Sequence, residues 1–330
     1  MAKRDGGKLN VFVTRKIPQV GLDMLKEASD VVVSPHDRVL SKNELIQGVE
    51  GVHGLLCLLT DEITADVMDA SPNLKVISNY AVGYNNVDVA AATERGILVT
   101  NTPGVLTDAT ADLAWTLVMS VSRRVVEGDA LTRAGEFTGW DPMLLLGGGV
   151  AKKTIGIVGM GRIGQAVAKR ATGFDMEILY NDIEPVPSIE ERYGARFVTL
   201  DELLKASDFI TLHAPLTPKT RYMIGSREFG LMKETAYLVN TARGPLVDEK
   251  ALVKALRDKV IAGAGLDVYE DEPELAPGLA ELPNVVLLPH LGSATLETRS
   301  KMAEMAAANV LAALEGKRPA NLVNPEVLDK

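Results

Sequence analysis

Short runs of β-branched and aliphatic residues recur along this 330-residue chain, and most are separated by stretches with apolar residues at helical spacing. LNVFVT, VVVS, GLLCLLT, NLKVISNYA and GILVTN come first, with VGLDMLKEA and NELIQGVE among them. TIGIVGMG, MEILYND, DFITLHAP, AYLVNTARG, IAGAGLDV and NVVLLPH follow. A short apolar run bounded by turn residues is a strand buried on both faces. Strands that alternate with helices pair in parallel, because the crossover between parallel neighbours needs a helix's length of chain. The pattern therefore predicts an α/β protein with doubly wound parallel sheets.

The two series predict two domains, and 46% hydrophobic residues over this length can fill two cores. Pro103 and Gly104 punctuate the chain after the first series. The pattern LTDATADLAWTLVMSVSRRVVEGDALTRAG then predicts one long helix, with Asp108 near its start and Gly135 at its end. The tail TLETRSKMAEMAAANVLAALEG, ending at Gly316, reads as a helix that packs back on the first series. One domain is thus expected from residues 1–101 plus 293–330. The second, 102–292, is inserted in it, with chain crossings near 102 and 292 and a cleft between the two.

Basic residues number 35 against 44 acidic, a net charge of −9, so no basic field is expected to hold a nucleic acid or an anionic membrane. Cys57, the only cysteine, lies inside GLLCLLT and reads as a small buried hydrophobe. The start of the chain, MAKRDGGKLNVFVTRK, lacks the apolar core and small-residue cleavage site of a secretory signal, so a cytoplasmic address is expected. No apolar stretch approaches the roughly 18 residues that suggest a membrane span.

In TIGIVGMGRIGQAVAKR, Gly159, Gly161 and Gly164 form a GxGxxG that follows a strand and opens a helix, with Arg162 and Ile163 inside it. The first glycine allows a tight turn, the second a close approach of backbone to a pyrophosphate, and the third close packing of helix on strand. The helix N-terminus offers unpaired N–H groups to the anion. The next strand ends in Asp182, placed where an acid accepts hydrogen bonds from an adenosine ribose. Together these predict a Rossmann-like dinucleotide site. Asp182 would repel a 2′-phosphate, and NDIEPVPS offers no cation to hold one, so NAD(H) is favoured, with NADP(H) as the alternative. Arg162 either meets the pyrophosphate or stands in solvent.

Ligands of open α/β sheets bind beyond the carboxyl ends of the strands. Those positions hold His213 after DFITL, Arg243 after AYLVN, Asp267 and Glu272 after IAGAG, and His290 after NVVLL. A guanidinium, a carboxylate and an imidazole beside a nicotinamide suit hydride transfer at the carbon of a 2-hydroxy or 2-keto acid. Arg243 grips the substrate carboxylate, His290 exchanges the proton, and Glu272 steadies the imidazolium. Taken singly, Arg243 reads equally as a helix cap or a partner of Asp248, and Glu272 as part of the solvated cluster EDEPE. Asp267 is expected to orient the arginine or the cofactor. His36 and His53 read as structural, and no spacing of histidines or cysteines predicts a metal site.

VGMGRIG with Asp182, NTARGPLVDEKAL, AGAGLDVYEDEPEL, PHLGSAT, SNYAVGYNNVDVAAATERGI and NTPGVLTDATADLA, in this order-spanning set, resemble the signature blocks of the D-isomer-specific 2-hydroxyacid dehydrogenases. The resemblance implies two doubly wound domains, Rossmann-like and flavodoxin-like, with the cofactor domain inserted in the substrate domain. It implies that Arg243, Glu272 and His290 are catalytic. It assigns the Val82 and Gly83 backbone to the substrate carboxylate, with Ser293 close by, and Thr110, His213, Ala214, Pro215, Thr241, Ala242, Asp267 and Gly292 to the cofactor's surroundings. ISNYAVGYNN, TGWDPMLLLG and RPANLVNPEVL resemble most the glyoxylate and hydroxypyruvate reductases of the family. In those the residue matching Trp140 reaches toward a neighbouring subunit's site, which implies a homodimer. Many have a basic residue where this chain has Asp182, and use the phosphorylated cofactor. Phosphoglycerate dehydrogenases and dinucleotide-sensing corepressors share the fold and are the competing expectations.

Overall fold

The computed structural model describes residues 8–329. The chain separates into two compact units: one runs through Leu106 and resumes at Ala294, and the other is Thr107–Ser293, inserted between those points.

The first unit is built on a five-stranded parallel sheet of β1 (Leu9–Val13), β2 (Ser29–Val33), β3 (Gly54–Cys57), β4 (Val76–Asn79) and β5 (Leu98–Thr100), in the order β2-β1-β3-β4-β5. β3 and β4 are buried at every residue, whereas edge strand β2 exposes alternate side chains. The burial pattern follows from what covers each face. Leu55, Cys57 and Ile77 point to a core closed by the helices Lys42–Val49, Ala65–Asp69 and Val89–Glu94. Val11, Leu56 and Val76 point to the opposite core, closed by Gln19–Ala28 and the long tail helix Leu296–Leu314. The tail helix supplies Met302, Ala303, Ala306, Ala307 and Val310 to that core, so it does pack on the first series.

The second unit holds seven parallel strands: β6 (Thr154–Val158), β7 (Glu177–Asn181), β8 (Arg196–Phe197), β9 (Phe209–Leu212), β10 (Tyr237–Asn240), β11 (Gly263–Leu266) and β12 (Val285–Leu287). Their order is β12-β11-β10-β9-β6-β7-β8. The chain leaves β6 toward β7 on one side and returns as β9 on the other, which opens a crevice at the carboxyl ends of β6 and β9. Thr107–Ser122 and Arg162–Ala171 cover one face, and Leu200–Ala206 and Glu249–Arg257 the other.

One expectation needs correction, and one strand is new. The long helix is broken into Thr107–Ser122 and Val125–Arg133, with Arg124 in the left-handed region at φ 54°. The Ser122 carbonyl, which a continuing helix would offer to Val126, instead accepts from Gly148 N–H at 2.8 Å. Strand β8 has no counterpart in the sequence reading, because it is a two-residue edge strand exposed on both faces.

Candidate active site

The carboxyl ends of β6, β7 and β9 form the glycine loop and its surroundings. Gly159 has φ 94°, and a Cβ there would lie 2.6 Å from the Ala214 amide nitrogen; one at Gly164 would lie 2.1 Å from the Gly159 carbonyl oxygen. Both positions therefore require glycine for the turn and for the helix to approach the strand. A Cβ at Gly161 would meet nothing within 4 Å, so the backbone there borders open space, at the N-cap of Arg162–Ala171. Arg162 is exposed in the first turn, and Ile163 packs against the core. Asp182 turns back on this loop: Oδ2 accepts from Met160 N–H and Oδ1 from Ile183 N–H, both at 2.6 Å.

After β9, His213 donates its amide to Val158 O at 2.7 Å, and its Nε2 meets Thr211 Oγ1 at 2.8 Å. Burial pushes its pKa down to about 3, so the ring is neutral across the physiological range. Its Nδ1 and Thr241 Oγ1 are buried polar atoms without a hydrogen-bond partner among the described residues. Ala214 is buried and Pro215 exposed.

β10, β11 and β12 deliver the titratable groups. After β10, Asn240 ties down the turn, accepting from Ala242 N–H at 3.0 Å and donating to Arg243 O at 2.9 Å. Arg243 is half-buried, and its Nη1 donates to Ala242 O at 2.7 Å. Burial lowers the guanidinium's pKa and Glu272 opposes that shift. Asp248 caps the following helix through Ala251 N–H, 3.0 Å away. Gly244 brings this turn onto the next one, since a Cβ there would lie 1.8 Å from Tyr269 C and O.

His290 Nδ1 donates to Glu272 Oε2 at 2.9 Å, and Glu272 Oε1 accepts from Tyr269 N–H at 3.1 Å. Burial would raise the pKa of Glu272, but the bond and charge of His290, the Tyr269 N–H and Arg243 outweigh it and hold the group below its ordinary value. His290 itself adopts φ 56°, a conformation that costs a residue with a Cβ on the order of 1 kcal/mol and persists only where the surroundings over-determine it. Asp267 provides that restraint. Fully buried, it accepts from Leu291 N–H at 2.6 Å and Gly292 N–H at 2.8 Å, and its carbonyl accepts from His290 N–H at 3.0 Å. Burial raises the pKa of Asp267 against those bonds. Thr110 completes the clasp, donating to Gly292 O at 3.0 Å. Ser293, half-buried, follows directly.

Of the remaining sequence candidates, Val82 and Gly83 lie in the first unit, after β4. Asn101 Nδ2 holds the Val82 carbonyl at 2.7 Å and Asn79 Nδ2 the Gly83 carbonyl at 2.9 Å. Trp140 is 85% exposed in the segment before β6. His36 approaches Glu44, with 3.7 Å between Nε2 and Oε1, and His53 Nδ1 accepts from Asn10 N–H at 3.3 Å. No three described His, Cys, Asp or Glu residues cluster as metal ligands, and no helix among the described residues is long and apolar enough to cross a membrane. The sequence reading missed Tyr269, Asn79 and Asn101. Each lies inside a quoted signature block, but each acts through a backbone partner that residue spacing does not reveal.

The profile of the D-isomer specific 2-hydroxyacid dehydrogenase NAD binding domain matches residues 115–292. The glyoxylate reductase of Thermococcus gammatolerans is 52% identical over 97% of this chain and 97% of its own length. The chain belongs to the D-isomer-specific 2-hydroxyacid dehydrogenases. Among solved structures, a Thermus thermophilus protein superposes with a TM-score of 0.90 at 50% identity, covering 96% of this chain and all of the other. The NADPH-dependent glyoxylate/hydroxypyruvate reductase of Sinorhizobium meliloti, solved with NADP and malonate, superposes with a TM-score of 0.85 at 32% identity, covering 96% and 97%.

Proposed function

We propose that this dehydrogenase reduces glyoxylate or hydroxypyruvate to the 2-hydroxy acid with NADH, using His290 as the proton donor. The observation that carries the reading is the 2.9 Å pair of His290 Nδ1 and Glu272 Oε2 at the strand ends that also hold Arg243 and the glycine loop. The residues present fit a dinucleotide: Gly161 borders open space at a helix N-terminus, and on the same sheet edge Thr241 Oγ1 and His213 Nδ1 are buried without partners among the described residues. The backbone at Gly161 and Ile163 would hold the pyrophosphate, with Gly159 and Gly164 shaping the loop, and Thr110, His213, Ala214, Pro215, Thr241, Ala242, Asp267 and Gly292 would surround the rest. When bound, the dihydronicotinamide supplies the hydride.

The protein's own part is to bind the keto acid and move one proton. Arg243 presents a forked donor to the substrate carboxylate, a role the half-buried position strengthens. In the first unit we assign the Val82 and Gly83 amides to substrate binding, on a loop whose carbonyls Asn101 and Asn79 already fix. Ser293 is assigned to substrate binding in the second. With Nδ1 committed to Glu272, the proton that leaves the imidazolium is the one on Nε2; it goes to the substrate's carbonyl oxygen and yields the hydroxyl. The neutral ring that remains is the Nδ1–H tautomer, which Glu272 continues to hold.

Asp182 supports NADH over NADPH, since its carboxylate is fixed against the glycine loop by Met160 N–H, and NDIEPVPS carries no cation for a 2′-phosphate. The Sinorhizobium meliloti relative is NADPH-dependent, so cofactor choice is tested directly. We further assign the exposed segment around Trp140 to a homodimer, in which each Trp140 borders its neighbour's substrate.

The test is NADH and NADPH oxidation with glyoxylate, hydroxypyruvate, pyruvate and phosphohydroxypyruvate. His290→Ala is expected to lose on the order of 10²–10⁴ in kcat, and Asp182→Ala to narrow the preference for NADH. Rapid turnover of another acid, with neither glyoxylate nor hydroxypyruvate consumed, would sink the substrate assignment.

A further inference from the structure

Glu272 reaches His290 from the tip of a turn that is fastened at both feet by another glutamate. Glu249, the first residue of the helix Glu249–Arg257, is only 3% exposed. Its Oε1 accepts from Glu270 N–H at 2.6 Å and its Oε2 from Ala276 N–H at 3.2 Å, while its own N–H donates to Glu270 Oε2 at 3.4 Å. Between these anchors the chain closes a turn, with Glu274 N–H donating to Asp271 O at 2.9 Å, and Glu272 sits inside it. Tyr222 OH adds a further bond, to Glu270 Oε1.

A carboxylate so placed is costly. Burial pushes the pKa of Glu249 up, and the neighbouring Glu270 and Asp271 push it in the same direction, against the two backbone N–H bonds. The helix does not need it as a cap, because Asp248 fills that position. What the two bonds do achieve is to set where the Asp271–Glu274 turn lies relative to β11. Tyr269 N–H holds the Glu272 oxygen that does not face His290.

We propose that Glu249 is a positioning residue for the reaction: by holding both feet of the turn it keeps the Glu272 carboxylate on His290 Nδ1, and so keeps Nε2 as the proton-donating nitrogen. The inference rests on the role given above to His290 and Glu272. Glu249 spends both carboxylate oxygens on the turn's backbone and acts through the turn. A purely structural Glu249 would change stability without changing the histidine's tautomer.

The experiment is nitrogen-15 spectroscopy of histidine-labelled full-length protein at neutral pH, with His290→Ala to assign the ring, beside steady-state kinetics of glyoxylate reduction. The wild type should show the Nδ1–H tautomer in the neutral ring. Glu249→Ala should shift His290 toward the Nε2–H tautomer and lower kcat by about 10–100-fold, as loss of a supporting hydrogen-bond partner does elsewhere, with the KM for NADH little changed. Glu249→Gln keeps one acceptor oxygen and should lie between the two; it decides the matter alone if the alanine variant does not fold. An unchanged tautomer in the glutamine variant, or a kcat loss that follows thermal stability alone, would overturn the proposal. A His290→Ala enzyme as fast as wild type would overturn the underlying reading instead, while the spectra would still report whether Glu249 sets the tautomer.

Discussion

His290 stands in a strained conformation because Asp267 and Thr110 hold the residues after it, and its ring is set because Glu272 holds the ring. The two acids have opposite electrostatic consequences. Asp267 is buried more completely than its bonds compensate, and its pKa rises; Glu272 gains more from His290, Tyr269 N–H and Arg243 than burial costs it, and its pKa falls. For Glu272 the sign is then fixed. A carboxyl whose folded pKa lies below its unfolded value contributes stability that is fully present above the ordinary glutamate pKa and is lost as pH falls through the folded value. Thermal unfolding of wild type and Glu272→Gln across the acid range should therefore show wild type the more stable near neutrality, with the two curves converging as pH drops below the ordinary carboxylate range. A gap that stays constant down to the lowest pH would mean that the Glu272 charge contributes nothing to folding.

Strands and turns show where sequence reading succeeds and where it stops. β3, β9 and β11 are legible because each is a short, largely apolar run buried at every residue. β8 is not, since two exposed residues carry no periodicity, and the break at Arg124 is not, since its cause is a hydrogen bond from Gly148, distant in sequence. In the site the same division holds. Arg243, Glu272 and His290 are found by their place after strands, whereas the support of Glu249 and Asp267 depends on backbone groups that only the folded chain brings near. Gly244 belongs to this second kind: it is quoted in a signature block, yet its reason is the Tyr269 backbone, with a Cβ only 1.8 Å away. Gly244→Ala must push apart the turns that carry Arg243 and Glu272. The expected cost is about 1–3 kcal/mol or more, which scanning calorimetry would read as a fall in Tm of about 2–4 °C for each kcal/mol. Activity should fall further than stability alone explains, because the displaced turns carry the reacting groups; a variant with wild-type Tm and kcat would show that the contact relaxes at no cost.

Across the whole molecule, exposed apolar side chains are unevenly distributed. Of the large ones exposed among the described residues, nearly half fall between residues 125 and 146: Val125, Val126, Phe137, Trp140, Met143, Leu144 and Leu146. The helix Val125–Arg133 buries none of its residues, and Leu145 approaches it at Gly128, where a Cβ would lie 3.8 Å from Leu145 Cδ1. Isolated exposed aliphatics are ordinary, whereas a concentration of this kind is the surface that the proposed dimer would bury. A dimer formed through this segment separates two roles. Val126→Asp with Met143→Asp should leave each unit folded and halve the mass seen by light scattering, since two charges would have to be desolvated to re-form the contact. Trp140→Ala should leave the dimer intact and raise the KM for the keto acid, because the indole is assigned to the neighbouring substrate site and not to the contact's core. A wild-type protein that runs at the mass of one chain at micromolar concentration would remove the dimer, and a Trp140→Ala enzyme that dissociates with its KM unchanged would move the indole from the substrate to the interface.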